Sequence, residues 1–260
     1  RASAPTRAQT SGWRVGQVDM QKLSSAVLGL MTYTVAPDIT TSTVAVNKSE
    51  TSNAALSITQ FGGGATLGKG MPLYLEGNAA YSRFDPVFLA TDGTDQRWLP
   101  TRWNSLSATA GLGWDFPLST HWVARPILNF TLGRVVSDLA VAKWWVAQHS
   151  EAQLNFLDGG TLKAYGLGGA LMLDYENFSP QADDDLEIRY TNVALHSYGG
   201  STEGVAGQAK ANTLGIWARR RVPTGWGVVW DRPVRYVFEG ARTRYFGIER
   251  ESGIHQMNSL

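Results

Sequence analysis

The sequence predicts an all-β chain, an antiparallel transmembrane β-barrel, and three observations carry the prediction. The first is a hairpin in residues 103–133 whose two arms alternate strictly between apolar and mostly polar residues. The second is strand length: each arm has about 11 residues, as a tilted strand needs to cross a bilayer (roughly 9–11), where a soluble sandwich strand has about five or six. The third is composition, with 28 Gly, ten Trp and only 17% charged residues in a chain of 260. That mix suits many strands with close backbone approaches better than a helical enzyme.

The same composition excludes several function classes. Formal net charge is +1, which implies no general attraction to nucleic acid. Cysteine is absent, so disulfides, thiol catalysis and cysteine-ligated metals are excluded; no cofactor and no metal are expected. No apolar run reaches the length of a transmembrane helix, and residues 26–31 are far too short for one. A membrane protein with this sequence must therefore be a barrel, because only helices and closed barrels satisfy every backbone group in hydrocarbon. The chain starts at Arg1, the kind of start expected once a secretion signal has been removed.

Taken in order, residues 1–17 are polar and read as a flexible lead-in. Met20, Leu23, Val27, Leu30 and Met31 then fall at helical spacing before Pro37, which predicts a short amphipathic helix, with a strand over 27–35 as the alternative. Strands are expected at 39–47, 54–66 and 73–81, the last setting Leu75, Ala79 and Tyr81 against Tyr74, Glu76 and Asn78. The hairpin follows: Leu106, Leu112 and Trp114 oppose Ser105, Ser107 and Gly111 in one arm, and Trp122, Leu128 and Phe130 oppose Arg125 and Asn129 in the other. Further strands are expected at 161–175, 186–197, 212–221 and 233–245, with a partial one after 254. Connections at 62–70 and 117–121 are short, whereas 86–102, 137–160 and 198–211 are long. Outer-membrane barrels have short periplasmic turns and longer outer loops, so this parity puts the N-terminus on the periplasmic side. Residues 1–36 thus form an N-terminal flexible segment with a short helix, and 37–260 the barrel.

Five blocks resemble the solitary outer-membrane autotransporter-like β-barrel family: PDITTSTVAV at 37–46, PLYLEGNAAYSRFDPVF at 72–88, LPTRWNSLSATAGLGWDFP at 99–117, RPILNFTLGRVVSDLA at 125–140 and YVFEGARTRYFG at 236–247. The resemblance implies a barrel in the outer membrane of a Gram-negative bacterium, of about twelve strands by analogy with autotransporter translocators, of which about nine or ten are recognisable here. It implies no established reaction. Its partners would be outer-membrane lipid and lipopolysaccharide, small solutes, and the barrel-assembly machinery during insertion. Two departures shape the expectation. Only 36 residues precede Pro37, so no passenger domain is expected, and the chain ends in HQMNSL rather than on an aromatic strand, so closing strands are expected to be missing.

Candidate site residues follow from parity. Glu76, Arg125, Glu187, Arg189, Arg219, Arg235 and Glu239 fall on the inward set, where mixed charges read either as a paired network or as the lining of a solute-selective pore. Trp114, Trp122, Tyr81 and Phe130 read as lipid-interface aromatics. The inward positions Ala164, Gly166, Gly168, Ala170, Gly111 and Gly113 are small, which leaves room for the helix bearing Met20, Leu23, Val27 and Leu30 to plug the lumen; strand coiling is the alternative reason for the glycines.

Catalytic patterns are weak. GGGATLGKG at 62–70 imitates a phosphate-binding loop, but Gly70 stands where Ser or Thr is needed and no helix follows, so a glycine-rich turn is expected. His196 and Ser197 invite comparison with outer-membrane lipid hydrolases, yet neighbours in a strand point to opposite faces. Asp183, Asp184 and Asp185 read as a turn, with an acid protease site or a calcium cluster as the alternatives. Lys143, Trp144, Trp145, Phe88, Asp92, Asp95, Arg97 and Trp98 mark outer loops for a lipopolysaccharide headgroup or a partner. The expected function is a non-enzymatic outer-membrane barrel, a narrow or plugged channel or a structural component; the alternatives are a lipid hydrolase and an adhesin or receptor acting through the outer loops.

Overall fold

The computed structural model describes residues 14–15, 28, 31, 40–48, 51–68, 70–85, 87–91, 96–100, 102–138, 160–200, 208–246 and 256–259. Its strands are β1 (Arg14–Val15), β2 (Thr40–Lys48), β3 (Thr51–Gly68), β4 (Met71–Asp85), β5 (Val87–Thr91), β6 (Gln96–Pro100) and β7 (Arg102–Trp114). The second half gives β8 (Phe116–Pro117), β9 (Trp122–Asp138), β10 (Thr161–Phe178), β11 (Asp183–Gly200), β12 (Gln208–Val229), β13 (Arg232–Phe246) and β14 (Gln256–Ser259).

The chain is all-β, built on one curled antiparallel sheet in the order β14-β13-β12-β11-β10-β9-β7-β4-β3-β2, with β8 pairing β9. Neighbours in this order follow one another in the chain except where the β5–β6 hairpin and the short β8 intervene. β5 and β6 form a separate small sheet with β1, whose Arg14 pairs with Thr91 and Val15 with Ala90. Of the expected lead-in, residues 1–17, only Arg14 and Val15 are described, and their backbone groups find partners on the edge of β5.

Every strand expected from the sequence is present, and most are longer. The apolar and polar parities of the hairpin arms hold in register, with Leu112 opposite Leu128 and Gly111 opposite Asn129. Two turns are corrected. Gly62, Gly63 and Gly64 lie within β3, paired with Asn78, Gly77 and Glu76 of β4, and the chain reverses only between Gly68 and Met71. Asp183, Asp184 and Asp185 begin β11 rather than forming a turn, and they pair with Phe178, Asn177 and Glu176 of β10 on one side and Arg221, Arg220 and Arg219 of β12 on the other.

The faces of the sheet invert the pattern of a water-soluble protein. On β9, Leu128 is 73% and Phe130 43% exposed on the convex face, while Arg125 is 7% and Asn129 5% exposed on the concave face. The same alternation exposes Leu75, Leu106, Leu112, Leu167 and Leu171 and buries Ser82, Ser105, Ser107, Thr131 and Thr243. The concave face is itself graded. Toward the long connections it is apolar, with Trp103, Val135, Leu162, Leu195 and Tyr245 buried; toward the short turns it is charged.

Met20, Leu23, Val27 and Leu30 of the expected plug helix lie outside the described residues. Their neighbours Leu28 and Met31 are described and are fully buried. A side chain added at Gly133 of β9 would run into Met31 Sδ, so Met31 packs directly on the concave wall.

Candidate functional site

The inward charges assemble into three groups stacked along the interior. Nearest the short turns, Asp183 and Asp185 of β11 meet Arg219 and Arg221 of β12 and Arg235 of β13. Arg219 Nε and Arg221 Nη2 each donate to Asp185 Oδ2 at 3.1 Å, and Arg235 Nη1 donates to Asp183. Arg219 also lies over the Trp217 ring at 4.8 Å, and the Trp217 Nε1–H donates to Glu239 at 2.9 Å. Arg220 and Asp184 point to the other face and pair at 3.6 Å, so alternation along two strands splits an acidic and a basic triplet between the surfaces.

The second group centres on Arg125. Its guanidinium donates to Asp115 through Nε and through Nη2 at 3.3 Å, to Asp174 at 3.3 Å and to Met172 Sδ at 3.0 Å, and it lies 4.0 Å from the centre of the Tyr74 ring. Thr66 Oγ1 completes the cluster by donating to Asp115 at 2.5 Å. Asp115 sits in the turn after β7. Burial pushes its carboxyl up, and the hydrogen bonds from Arg125 and Thr66 together with the charge of Arg125 more than reverse this, leaving it below the ordinary carboxylate range.

The third group is central. Arg189 of β11 reaches across the interior to Glu76 of β4 in a bidentate pair, 2.7 Å from Nη1 to Oε2 and 2.6 Å from Nη2 to Oε1, although β7, β9 and β10 separate the two strands in the sheet. Arg189 Nε also donates to Thr191 at 3.2 Å. Glu187, one inward position along, shares a cavity of about 140 Å³ with this pair, Asn129, Thr131 and Met31. The close approach of Glu76 and Asn129 requires Gly111, where a Cβ would collide with both side chains.

No family model, curated protein or solved structure matches the chain. The reading of the site therefore rests on geometry. Among the charges expected inward from parity, Glu76 is paired with Arg189, and Glu239 accepts the Trp217 Nε1–H bond. Arg125, Arg189, Arg219 and Arg235 are each ion-paired; their partners Asp115, Asp174, Asp183 and Asp185, and Arg221 as a second donor to Asp185, do not follow from the parity reading. The signal for part of them was in the sequence: an Asp triplet at 183–185 and an Arg triplet at 219–221 stand at the facing ends of consecutive expected strands.

Trp114, Tyr81 and Phe130 are exposed on the convex face as expected; Trp122 is half-buried, its ring 5.0 Å from that of Tyr175. The small inward residues leave less space than expected, because neighbouring strands fill it. A Cβ on Gly166 would meet Leu195 and one on Gly168 the Asn192 carbonyl, so the contact with the N-terminal segment falls at Gly133 instead.

Catalytic arrangements fare poorly. His196 stacks on Tyr165 with ring centres 5.6 Å apart, and Ser197 follows it in β11 with the opposite facing. His121 Nδ1 lies 3.0 Å from the Glu176 carbonyl at the rim. Among the described residues no group of three or more His, Asp or Glu side chains is placed to hold a metal ion, and Asp183 and Asp185 are engaged by arginine. Lys143, Trp144, Trp145, Asp92, Asp95, His149 and His255 lie outside the described residues. Phe88 belongs to β5, and Arg97 and Trp98 to β6, in the small sheet beside the long-connection end.

Proposed function

We propose that this chain is a Gram-negative outer-membrane β-barrel of the solitary autotransporter-like kind, non-enzymatic, serving as a narrow or plugged channel or as a structural component of the membrane. The observation that supports it best is the inverted polarity of the sheet. Apolar side chains are exposed on the convex face of strand after strand, while arginines and carboxylates are paired inside. In water so large an apolar surface would drive association. In hydrocarbon it is the favourable arrangement, and the interior charges avoid the lipid.

A second feature fits a lipid setting. Arg134 of β9 and Lys163 of β10 are direct cross-strand neighbours, both exposed on the convex face at the long-connection end. Like charges so placed repel each other, and the cost falls if anionic headgroups lie between them. That end is the one assigned to the outer leaflet, where lipopolysaccharide phosphates are the available anions. In this reading Leu28 and Met31 belong to an N-terminal plug, and insertion relies on the barrel-assembly machinery.

Gel migration with and without boiling, followed by conductance in a planar bilayer, tests the proposal. The expected result is a compact, heat-modifiable band from detergent or membranes and a small or absent ionic current. A chain that stays monodisperse in buffer without detergent and ignores lipid vesicles would overturn it.

A further inference from the structure

Among its described lining residues the central cavity has two carboxylates and one guanidinium. Glu76 and Glu187 both face it, and the single guanidinium there, Arg189, is bound at both ends of its fork to Glu76. No described residue donates a hydrogen bond to Glu187. Beside Glu76, Asn129 is only 5% exposed, and its side-chain oxygen is buried without a partner. Thr191 and Thr213 add hydroxyl oxygens to the lining. A carboxylate and an amide oxygen left without donors in a confined space are costly unless something positive or hydrogen-bonding lies between them.

The donor set narrows the ligand class. Among the described lining residues oxygen is the only ligating element apart from the Met31 sulfur, which selects a hard cation over a soft transition metal. Calcium takes about six to eight oxygens with several carboxylates. Here one carboxylate is uncommitted, and no metal-holding cluster forms among the described residues. The cavity of about 140 Å³ matches the space of roughly four or five waters at about 30 Å³ each, enough for a small ion with part of its hydration shell. Below it the Arg125 cluster is internally paired and adds no free guanidinium. Above it Met31 and the apolar residues limit hydration.

We propose that this cavity is a binding site for a monovalent cation, an alkali ion or ammonium, held between the Glu187 carboxylate and the Asn129 side-chain oxygen. The site rests on the barrel reading, since the curl of the sheet brings Glu76 of β4, with Asn129 beside it, to face β11 across it. It gives the interior charges a role beyond mutual neutralisation: the Arg189–Glu76 pair fixes one wall, and Glu187 is the cavity carboxylate to which no described residue donates.

Equilibrium dialysis of the full-length chain, folded in detergent, against radioactive rubidium tests the site. Saturable binding near one ion per chain is expected, displaced by potassium and ammonium but not by the bulky N-methylglucamine cation. Glu187→Gln is expected to weaken rubidium binding by about tenfold or more, and Glu187→Asp to retain most of it. Absence of saturable binding in a chain that gives the heat-modifiable folded band overturns the site, as does a Glu187→Gln chain that binds unchanged. If the Gln variant loses the folded band, the unmodified chain decides, because displacement by N-methylglucamine as readily as by potassium also overturns the site. The two readings separate cleanly. Rubidium bound at Glu187 in a chain that carries no current keeps the site and removes only the open channel, whereas a chain that never gives a folded band removes the barrel and the site with it.

Discussion

Arg189 and Glu76 show how much a single pair can depend on the curl of a sheet. Parity places both on the inward face, but nothing in a linear reading joins residues on strands separated by three others. Their side chains are 23% and 11% exposed, so the pair is largely shielded from solvent and its two hydrogen bonds are charge-assisted. Removing one partner strands the other. Glu76→Gln and Arg189→Met are each expected to destabilise the folded form by about 2–3 kcal/mol. The double variant should cost less than the sum by about 1–3 kcal/mol. Urea unfolding in detergent, read from the folded gel band, measures all three; strictly additive losses would mean that the two residues do not act as a pair. Arg125 was legible for the same reason as Arg189, its place in an alternating strand. Its partners Asp115 and Asp174 were not, because one lies in a turn and the other on a strand whose register the sequence leaves open.

The hairpin of β7 and β9 was readable almost residue by residue, since a period of two over a long run fixes which side chains share a face. Glycine misled the reading next door. Gly62, Gly63 and Gly64 resemble a turn, but β3 continues through them because bulky inward residues of β4 need the space, and a side chain on Gly64 would overlap the Tyr74 hydroxyl. β12 was expected at 212–221 and runs to Val229, past a register shift between Pro223 and Val228 where Gly225 and Gly227 adopt positive φ. It then reverses at Trp230 and Asp231, whose φ values of 49° and 61° belong to a two-residue hairpin turn that the sequence does not announce with an Asn-Gly pair.

β9 offers the sharpest test of what solvent the convex face meets. Leu128 is 73% exposed, so in water Leu128→Arg would cost next to nothing. In the lipid-facing position proposed here it is expected to cost about 2–4 kcal/mol if it lies near the bilayer midplane. Folding into vesicles compared with folding into a zwitterionic detergent gives the number. Equal stability of the Leu128→Arg and unmodified chains in vesicles would argue that this face does not contact hydrocarbon.

For the whole molecule, the decisive property is the gradient inside the sheet. Charged clusters occupy the short-turn half, whereas Trp103, Val135, Leu162, Leu195 and Tyr245 fill the other half together with Leu28 and Met31. Among the described residues, an interior packed in this way keeps its paired charges to one half of the axis. The sheet also has two edges, β2 and β14. All its neighbouring strands are antiparallel along an order of ten, so the edge strands themselves run in opposite directions and are compatible with closure. Met31 is the contact that matters most for passage, because it packs on Gly133 and also lines the central cavity. Deleting residues 1–36 removes both Leu28 and Met31 and leaves the apolar half of the interior without that filling. Bilayer conductance of the shortened chain is expected to exceed that of the full one by at least severalfold, and Gly133→Val, which displaces Met31 without shortening the chain, should give a smaller rise. A full chain and a shortened chain with the same conductance, both folded by gel migration, would mean that the N-terminal segment does not block the interior and that the closure lies in the packed side chains of the strands themselves.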